Sequence, residues 1–362
     1  MKSSTTAKLM DPALISAYPA PRSPKVLRSL EWNTRTKNIL VIITNDKWSE
    51  ASRFARSIRD RGHNIIGLLH ENGLEDNQQK HGLKASGKIQ DLPKILETGK
   101  VDSICITLSS LRQEKIKRAI RIADYYGVRV NLVPENPDYL AGNFRSSTVG
   151  DLPVVPLRQI PLDNRFNSSI KVVFDFLFAL VAVTLLMPLF IIIGLLIYLD
   201  GKGPVIYAPQ RKGEDRGTFR CYKFRTMSVC DNPVNGKKST EKNDPRITKI
   251  GKYLRKFDLD ELPQFFNVLK GDMSIVGPRP HRSFLAQDFR KIVNDYMVRH
   301  YVKPGITGWA QVNGWRGPTE TVEQKQQRIK HDLWYIENWS FLLDLKIIFL
   351  TVWGKRTRKN AF

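Results

Sequence analysis

Phe176–Leu199 reads FLFALVAVTLLMPLFIIIGLLIYL, roughly 24 residues without a charge, long enough at about 1.5 Å per residue to cross a hydrocarbon core of about 30 Å. An uninterrupted run of this length rarely stays inside a globular domain, so the segment is read as membrane-embedded and the rest of the chain is organised on either side of it. Pro188 sits at its middle and removes a helix hydrogen bond. Both flanks are cationic: Arg165 and Lys171 precede the run, and Lys202, Arg211 and Lys212 follow it. The positive-inside tendency then places both ends on the cytoplasmic face, with a helix that enters, breaks at Met187-Pro188 and returns. Each arm is about 18 Å long, half a bilayer. The alternative is an ordinary span with a proline kink. Lys171 and Asp175 lie four residues apart on one helix face and are expected to neutralise each other near the lipid headgroups.

Upstream, short apolar runs alternate with amphipathic stretches. Asn38–Ile43, Asn64–Leu69, Ser103–Leu108 and Val128–Val133 read as strands, while Ala51–Arg61, Asp91–Leu96 and Gln113–Tyr126 read as helices. This alternation predicts a Rossmann-like α/β domain over residues 37–140. A dinucleotide site wants glycines in the first strand-to-helix turn, where the backbone must approach a pyrophosphate. Here the turn is Thr44-Asn45-Asp46-Lys47-Trp48-Ser49, without glycine, which favours a structural or regulatory role for the domain. Residues 1–36, broken by Pro12, Pro19, Pro21 and Pro24 and lacking an apolar core, are expected to be a disordered leader and no signal peptide. Residues 141–167 have the composition of a linker.

Lys and Arg outnumber Asp and Glu by 58 to 35, a net +23 that implies acidic partners: phosphate-bearing substrates, an anionic lipid surface or nucleic acid. The long apolar run counts against nucleic acid. Cys105, Cys221 and Cys230 are odd in number and have no paired metal spacing, so neither a disulfide framework nor a zinc site is expected, and a reducing compartment is the simpler assumption.

Downstream, residues 201–362 carry the chemistry. In Phe219–Met227 strand-like residues alternate with cations, which offers Lys223 and Arg225 on one face to an anionic ligand. In Asp258-Leu259-Asp260-Glu261-Leu262-Pro263-Gln264-Phe265-Phe266-Asn267-Val268-Leu269-Lys270-Gly271, the residues Leu262, Phe265, Phe266 and Leu269 recur at helical spacing. Pro263 suits an early helical position and Gly271 a C-cap, which puts Asp260 and Glu261 at the helix start, where a phosphate and a metal can be held together. Adjacent carboxylates can divide labour, one attacking phosphorus while the other ligates Mg²⁺. A capping acidic pair is the plainer alternative for any isolated Asp-Glu. Two Pro- and Gly-stiffened loops follow, Ser274–Pro280 with Arg279 and Pro304–Gly314 with Thr307, Trp309 and Gln311. The aromatic stretch Trp334–Trp353 ends in Lys355, Arg356, Arg358 and Lys359 and predicts an interfacial helix.

From Ser168 to Phe362 the sequence resembles the monotopic phosphoglycosyl transferases, the bacterial sugar transferase family. The resemblance rests on the proline-broken helix, Lys223-Phe224-Arg225-Thr226-Met227, Asp260-Glu261-Leu262-Pro263-Gln264, Val276-Gly277-Pro278-Arg279-Pro280 and Pro304–Gly314. Within that family, the C-terminal stretch Asn338-Trp339-Ser340 and Asp344–Ile348 is most similar to members that charge undecaprenyl phosphate with glucose 1-phosphate for exopolysaccharide or O-antigen assembly. The resemblance implies a re-entrant membrane helix and a mainly helical α+β catalytic domain at the cytoplasmic side of the bacterial inner membrane. It implies a UDP-sugar and undecaprenyl phosphate as substrates, with Asp260 as nucleophile, UMP as leaving group and Glu261 as Mg²⁺ ligand. Arg211, Lys223, Arg225, Arg255, Arg279, Thr307 and Gln311 are then the expected substrate contacts. Longer family members begin with several membrane helices, whereas here nothing before Asn38 is apolar enough to span. The hexose and the oligomeric state stay open, a homodimer among the options.

Two other readings compete. Asp258-Leu259-Asp260 can be the metal-binding D-x-D of a glycosyltransferase that releases UDP, or the chain can be a non-catalytic basic scaffold at the membrane surface, indifferent to loss of the Asp260 and Glu261 carboxylates.

Overall fold

The computed structural model describes residues 36–43, 48–70, 79–80, 83–84, 87–108, 113–134, 147–149, 152–228, 244–282, 286, 289–290, 292–293, 295–317 and 321–354. The expected leader and most of the glycine-free turn lie outside them.

Near-continuous apolar runs make strands that are buried on both faces, as parallel strands under helices must be. They are β1 (Asn38–Ile43), β2 (Asn64–His70), β3 (Gly87–Lys88), β4 (Ser103–Leu108) and β5 (Arg129–Pro134), followed by β6 (Ser147–Val149) and β7 (Leu152–Pro156). The sheet order is β3-β2-β1-β4-β5-β7-β6. The first five strands are parallel and the last two antiparallel. Alternate side chains of β1 face opposite layers. Ile39, Val41 and Ile43 pack on Ala51, Phe54, Ala55 and Ile58 of α1 (Trp48–Asp60). Leu40 and Ile42 pack with residues of α2 (Leu92–Glu97) and α3 (Gln113–Tyr126). The Rossmann-like expectation therefore holds in its strands and helices, but its end needs correction. Part of the stretch read as linker extends the sheet, with Asn131 opposite Pro156 and Thr148 opposite Pro153. Prolines suggest a linker in sequence, yet a sheet margin tolerates them because not every N–H there must join a ladder.

Helix α4 (Arg165–Asp200) is a continuous 36-residue helix, capped by Asn164, whose side chain accepts from Phe166 N–H at 2.9 Å; the break expected at Met187-Pro188 is absent, because one missing proline donor leaves the neighbouring helical turns in place. Pro188 lies inside it, and one turn earlier Thr184 Oγ1 donates to the Leu180 carbonyl at 2.9 Å. Both features favour bending, the first by removing a backbone donor and the second by drawing a carbonyl outward. Leu185 (74% exposed), Ile191 (66%) and Leu199 (71%) stand free of the rest of the protein. An exposed apolar surface of this kind marks a membrane or protein contact, and the helix is long and apolar enough to cross a membrane.

The part beyond α4 is built on antiparallel pairs and short helices. Strand β8 (Ile206–Tyr207) pairs with β11 (Lys223–Phe224), and β9 (Gln210–Lys212) with β10 (Thr218–Arg220). Then come α5 (Lys249–Lys256), a single 3-10 turn at Leu259–Glu261, α6 (Gln264–Leu269) and β12 (Ser274–Val276), which runs parallel to β13 (Gly305–Thr307). Helices α7 (Trp309–Val312), α8 (Val322–Glu337) and α9 (Phe341–Trp353) complete it. Its core gathers Ala179 of α4 with Val268, Ile275, Tyr335, Ile336 and Ile347. The stretch Trp334–Trp353 expected as one interfacial helix is divided between the end of α8 and α9, and its basic end, Lys355 to Lys359, lies outside the described residues; on α9 Leu342, Phe349 and Trp353 are exposed while Asp344 and Ile347 face inward.

Both arms of α4 rest on this one domain. Phe174 and Phe178 meet Phe341 and Phe265, and past the proline Phe190 meets Phe224 and Phe266. Lys171 and Asp175 are not a headgroup pair. Both are buried: Lys171 Nζ lies 3.4 Å from Asp175 and 2.8 Å from Asp344, and Asp175 accepts from Ile275 N–H at 3.1 Å. Tyr335 and Trp339 donate to Asp344 at 2.7 and 3.1 Å. Their i, i+4 spacing could place the first pair on one face, but only the fold could bring in a third charge from α9.

The α/β domain is fastened to the part beyond α4 by cations. Arg158 reaches Asp124, Asp295 and Glu337 at 3.3, 3.2 and 3.6 Å, and Arg129 holds Asp163 at 2.6 Å and the Tyr301 carbonyl at 3.1 Å.

Candidate active site

The turn carrying Asp260 and Glu261 is set by its neighbours. Asp258 adopts a left-handed conformation (φ 58°) that turns the chain out of α5, and its carboxylate is held by Arg316. Leu259–Glu261 makes one 3-10 turn, and Pro263 leads into α6. Gly271, at φ +82°, ends that helix as expected, its N–H bonded to the Val268 carbonyl at 2.9 Å. The carboxylates thus precede α6 directly, as the helical spacing predicts.

Opposite them, the buried Asn267 carboxamide accepts from Tyr222 N–H at 2.8 Å and donates to the Arg220 carbonyl at 2.7 Å, which fixes the strand bearing Lys223. Lys223 Nζ lies 2.7 Å from Glu261 Oε1 and 4.0 Å from Asp260 Oδ2. Arg279 donates to both Glu261 oxygens, at 2.9 Å to Oε2 and closer still to Oε1.

Glycines deliver Arg279. A Cβ on Gly277 would stand 2.5 Å from the Lys303 carbonyl oxygen, one on Gly305 2.1 Å from Gly277 N, and one on Gly308 2.2 Å from the Gly277 carbonyl oxygen. The two loops therefore pack backbone on backbone, tied by Gly277 N–H to the Thr307 carbonyl at 2.9 Å and Gly305 N–H to the Pro278 carbonyl at 3.0 Å. Behind them Arg299 donates to the Arg279 carbonyl at 2.7 Å and to Asp332 at 2.8 Å, so the backbone under the guanidinium is pinned.

The two carboxylates have opposite electrostatics. Burial raises Asp260 to about 6; the charge of Glu261 adds to the rise, and Lys223 and Arg255 oppose it. Asp260 accepts no hydrogen bond among the described residues, leaving its oxygen lone pairs free. For Glu261, burial also works upward, but Arg279 and Lys223 more than offset it through charge and hydrogen bonds and hold the carboxyl well below its usual range. One group is a free, weakly stabilised anion poised near neutrality and the other a firmly ionised partner of two cations.

The expected substrate cations divide. Lys223 and Arg279 are at the carboxylates, and Arg255, whose Nε donates to Thr226 Oγ1 at 2.9 Å, lies close enough to act on Asp260. Arg211 is pushed down to about 10 by burial, with Arg282 and Arg279 contributing, so cations crowd there in excess. Arg225 is elsewhere. Its guanidinium donates to the carbonyls of Ile197, Gly201 and Lys202 at 2.9, 2.6 and 2.8 Å, closing the C-terminus of α4. The two-residue strand β11 ends before Arg225, so the alternation that would have kept it beside Lys223 does not extend that far. Thr307 Oγ1 is paired with Thr351 Oγ1 of α9 at 2.6 Å, which ties the loop to that helix, and Gln311 Nε2 donates to the Ile306 carbonyl of its own loop at 3.3 Å. Trp309 packs on Trp334 with ring centroids 4.9 Å apart. Met187 and Pro188 are exposed at the middle of α4.

Sequence reasoning passed over Arg316, Arg299 and Asp332, and quoted Gln264 only as part of a motif; its Oε1 is buried with no hydrogen-bond partner among the described residues. Only Gln264 carried a signal, a polar residue inside an apolar helical pattern.

A family model described as bacterial sugar transferase matches residues 166–357, and one described as CoA-binding domain matches residues 24–134. The chain is 37% identical over 304 residues to the UDP-glucose:undecaprenyl-phosphate glucose-1-phosphate transferase of Escherichia coli (strain K12), covering 83% of this chain and 64% of the relative. It is 40% identical over 304 residues to the protein of the same description from Xanthomonas campestris pv. campestris, covering 83% and 63%. The exopolysaccharide production protein PSS of Rhizobium leguminosarum bv. phaseoli is 43% identical over 198 residues, 53% of this chain and 98% of that protein. The chain thus spans just under two thirds of the length of the first two relatives.

Proposed function

Because the chain belongs to the bacterial sugar transferase family, we propose that it moves glucose 1-phosphate from UDP-glucose to undecaprenyl phosphate and releases UMP. The observation that carries the chemistry is the division of labour between the carboxylates. Asp260 is buried, accepts no hydrogen bond among the described residues and has its pKa raised to about 6 by burial, whereas the cations that would hold phosphate stand around it.

In the first step an Asp260 oxygen attacks the β-phosphorus. The bond from that phosphorus to the bridging oxygen breaks, UMP departs with the electron pair, and an acyl phosphate to the sugar remains. In the second step an oxygen of undecaprenyl phosphate attacks the same phosphorus and Asp260 leaves as carboxylate. Lys223, Arg255 and Arg279 lie where charge accumulates on the phosphoryl oxygens, and preorganised cations in a water-poor site stabilise it there. Mg²⁺, expected at Glu261, does not fit the arrangement as it stands. Both Glu261 oxygens are engaged, and among the described residues no group of three or more His, Cys, Asp or Glu could hold a metal. No step above depends on it.

The re-entrant reading of α4 is supported by the anchoring of both its ends in one domain, at Lys171 and at Ile197–Lys202, on either side of Pro188. Such a helix would seat the site at headgroup depth on the cytoplasmic side of the inner membrane, within reach of a lipid phosphate and a soluble nucleotide. Exopolysaccharide assembly is the pathway suggested by the relatives' names.

The test is nucleotide release by detergent-solubilised protein given UDP-glucose, divalent cation and undecaprenyl phosphate, with mass spectrometry for a sugar-phosphate adduct. UMP that vanishes in Asp260→Asn supports the reading. UDP would point to a D-x-D glycosyltransferase instead, which the pairing of Asp258 with Arg316 disfavours. UMP surviving in the variant would exclude Asp260 as nucleophile.

A further inference from the structure

A single turn behind the Arg279 loop touches both domains. Tyr296–Tyr301 forms a 3-10 helix whose six residues are all buried. From its middle, Arg299 donates to the Arg279 carbonyl at 2.7 Å and is itself held by Asp332 at 2.8 Å. From its start, the Tyr296 hydroxyl lies 3.1 Å from Nδ1 of the buried His281, two residues past Arg279. The turn thus grips the loop on both sides of Pro280, and this loop carries the guanidinium that reaches Glu261 beside Asp260.

Other groups of the same turn belong to the α/β domain. Directly after α3 comes Gly127, at φ +68°, where a Cβ would stand 2.9 Å from Met297 Cβ, so the absent side chain lets Met297 pack on the backbone. Arg129 donates to the Tyr301 carbonyl at 3.1 Å and lies 4.6 Å from the centre of the Tyr301 ring. Arg158 reaches Asp295, the residue before the turn, at 3.2 Å. Just upstream, the Arg290 guanidinium lies 4.2 Å and 5.2 Å from the ring centres of Tyr125 and Tyr126 at the end of α3. The α/β domain therefore fixes both ends of the turn, while Arg299 between them fixes Arg279. Buried, close-packed segments transmit a displacement rather than absorb it, and coupling travels along such chains of packed side chains and hydrogen bonds.

We propose that the α/β domain sets the position of Arg279 through the turn Tyr296–Tyr301, with Arg129 and Arg158 as positioning residues for phosphate binding that act through Arg299 and touch no substrate themselves. The inference rests on the proposed role of Arg279 toward substrate phosphate. It gives the α/β domain a part in the reaction that requires no ligand of its own.

The experiment compares the full chain in detergent with Arg129→Met and, separately, Arg158→Met. Both arginines are half-buried, and two variants guard against one failing to fold, which thermal unfolding will show. Hydrogen exchange read by mass spectrometry should show the amides of Gly277 and Gly305, which tie the Arg279 loop to its neighbour, exchanging about tenfold faster in either variant, with the amides of β1 and β4 unchanged. Arg299→Met should reproduce the acceleration, and Arg299→Lys should restore part of the protection, since lysine keeps a donor for the Arg279 carbonyl and a charge for Asp332. Calorimetry of UDP should show binding weakened about fivefold or more by Arg129→Met in the native background, and by less than about twofold in an Arg279→Met background, where there is no guanidinium left to position. Native exchange at Gly277 and Gly305 in the folded variants, or an equal loss of UDP affinity in both backgrounds, overturns the inference. Native protein that does not bind UDP overturns the proposed substrate class instead, and the exchange rates then decide the inference by themselves.

Discussion

Asp260→Asn should abolish UMP release and at the same time make the protein more stable. The carboxyl is raised to about 6 from an ordinary 3.8, chiefly by burial and then by Glu261, against the pull of Lys223 and Arg255. A carboxyl whose folded pKa is raised binds its proton more tightly in the native state, so its ionisation costs stability. The cost is absent while folded and unfolded forms are both protonated, grows as pH climbs from about 4 to about 6, and is constant above that. Two units at 1.36 kcal/mol each set a ceiling of about 3 kcal/mol. Asparagine keeps the shape and removes the charge. For a cooperative unit of about 150–250 residues, 1 kcal/mol shifts the melting temperature by about 2–4 °C, so the gain at pH 8 should be a few degrees, with a ceiling of about 6–12 °C. At pH 5, where the native carboxyl is mostly protonated, roughly half of it should remain. Thermal unfolding of both proteins in one detergent at the two pH values measures this. An identical gain at pH 5 and 8, or a loss at pH 8, would refute the argument that burial of an ionised Asp260 stores this energy.

The nucleophile must be ionised, so kcat/KM should be flat above pH 7 and fall about tenfold per unit below pH 6, read from initial UMP release; an acid limb centred near 4 would contradict the raised pKa. Lys171→Met leaves Asp175 and Asp344 buried without their cation and should cost about 3–5 kcal/mol, seen as a lower melting temperature; an unchanged one would mean the network is dispensable. Gly277→Ala forces a Cβ to 2.5 Å from the Lys303 carbonyl oxygen, and the resulting shift of the Arg279 loop should cost about 1–3 kcal/mol of stability and most of the UDP affinity; near-native UDP binding by calorimetry would show that the loops can separate without harm.

What the chain announces in one dimension is what depends on local pattern. The uncharged run in α4, the short apolar runs and amphipathic stretches of the α/β domain, the helical spacing after Glu261 and its glycine stop are all statements about neighbours in sequence, and the structure realises each of them. The acidic pair was legible for the same reason, since adjacency and a following helix suffice to place both carboxylates together. Family resemblance then supplied roles that spacing alone leaves open.

Partners distant in sequence could not be read that way. Lys171 and Asp175 looked like surface charges until Asp344 and the Ile275 N–H closed around them, contacts separated by 173 and 100 residues. Arg225 looked like a ligand for phosphate, and its destination, the end of α4, depends on how β11 packs beneath that helix. Two strands hid in a proline-rich stretch because pairing at a sheet margin is a property of the sheet. The distinction between Asp260, left free, and Glu261, held by two cations, also belongs to the tertiary structure. Sequence sets which groups are ionisable, but burial and the approach of Lys223 and Arg279 from two other segments decide which one is poised to react.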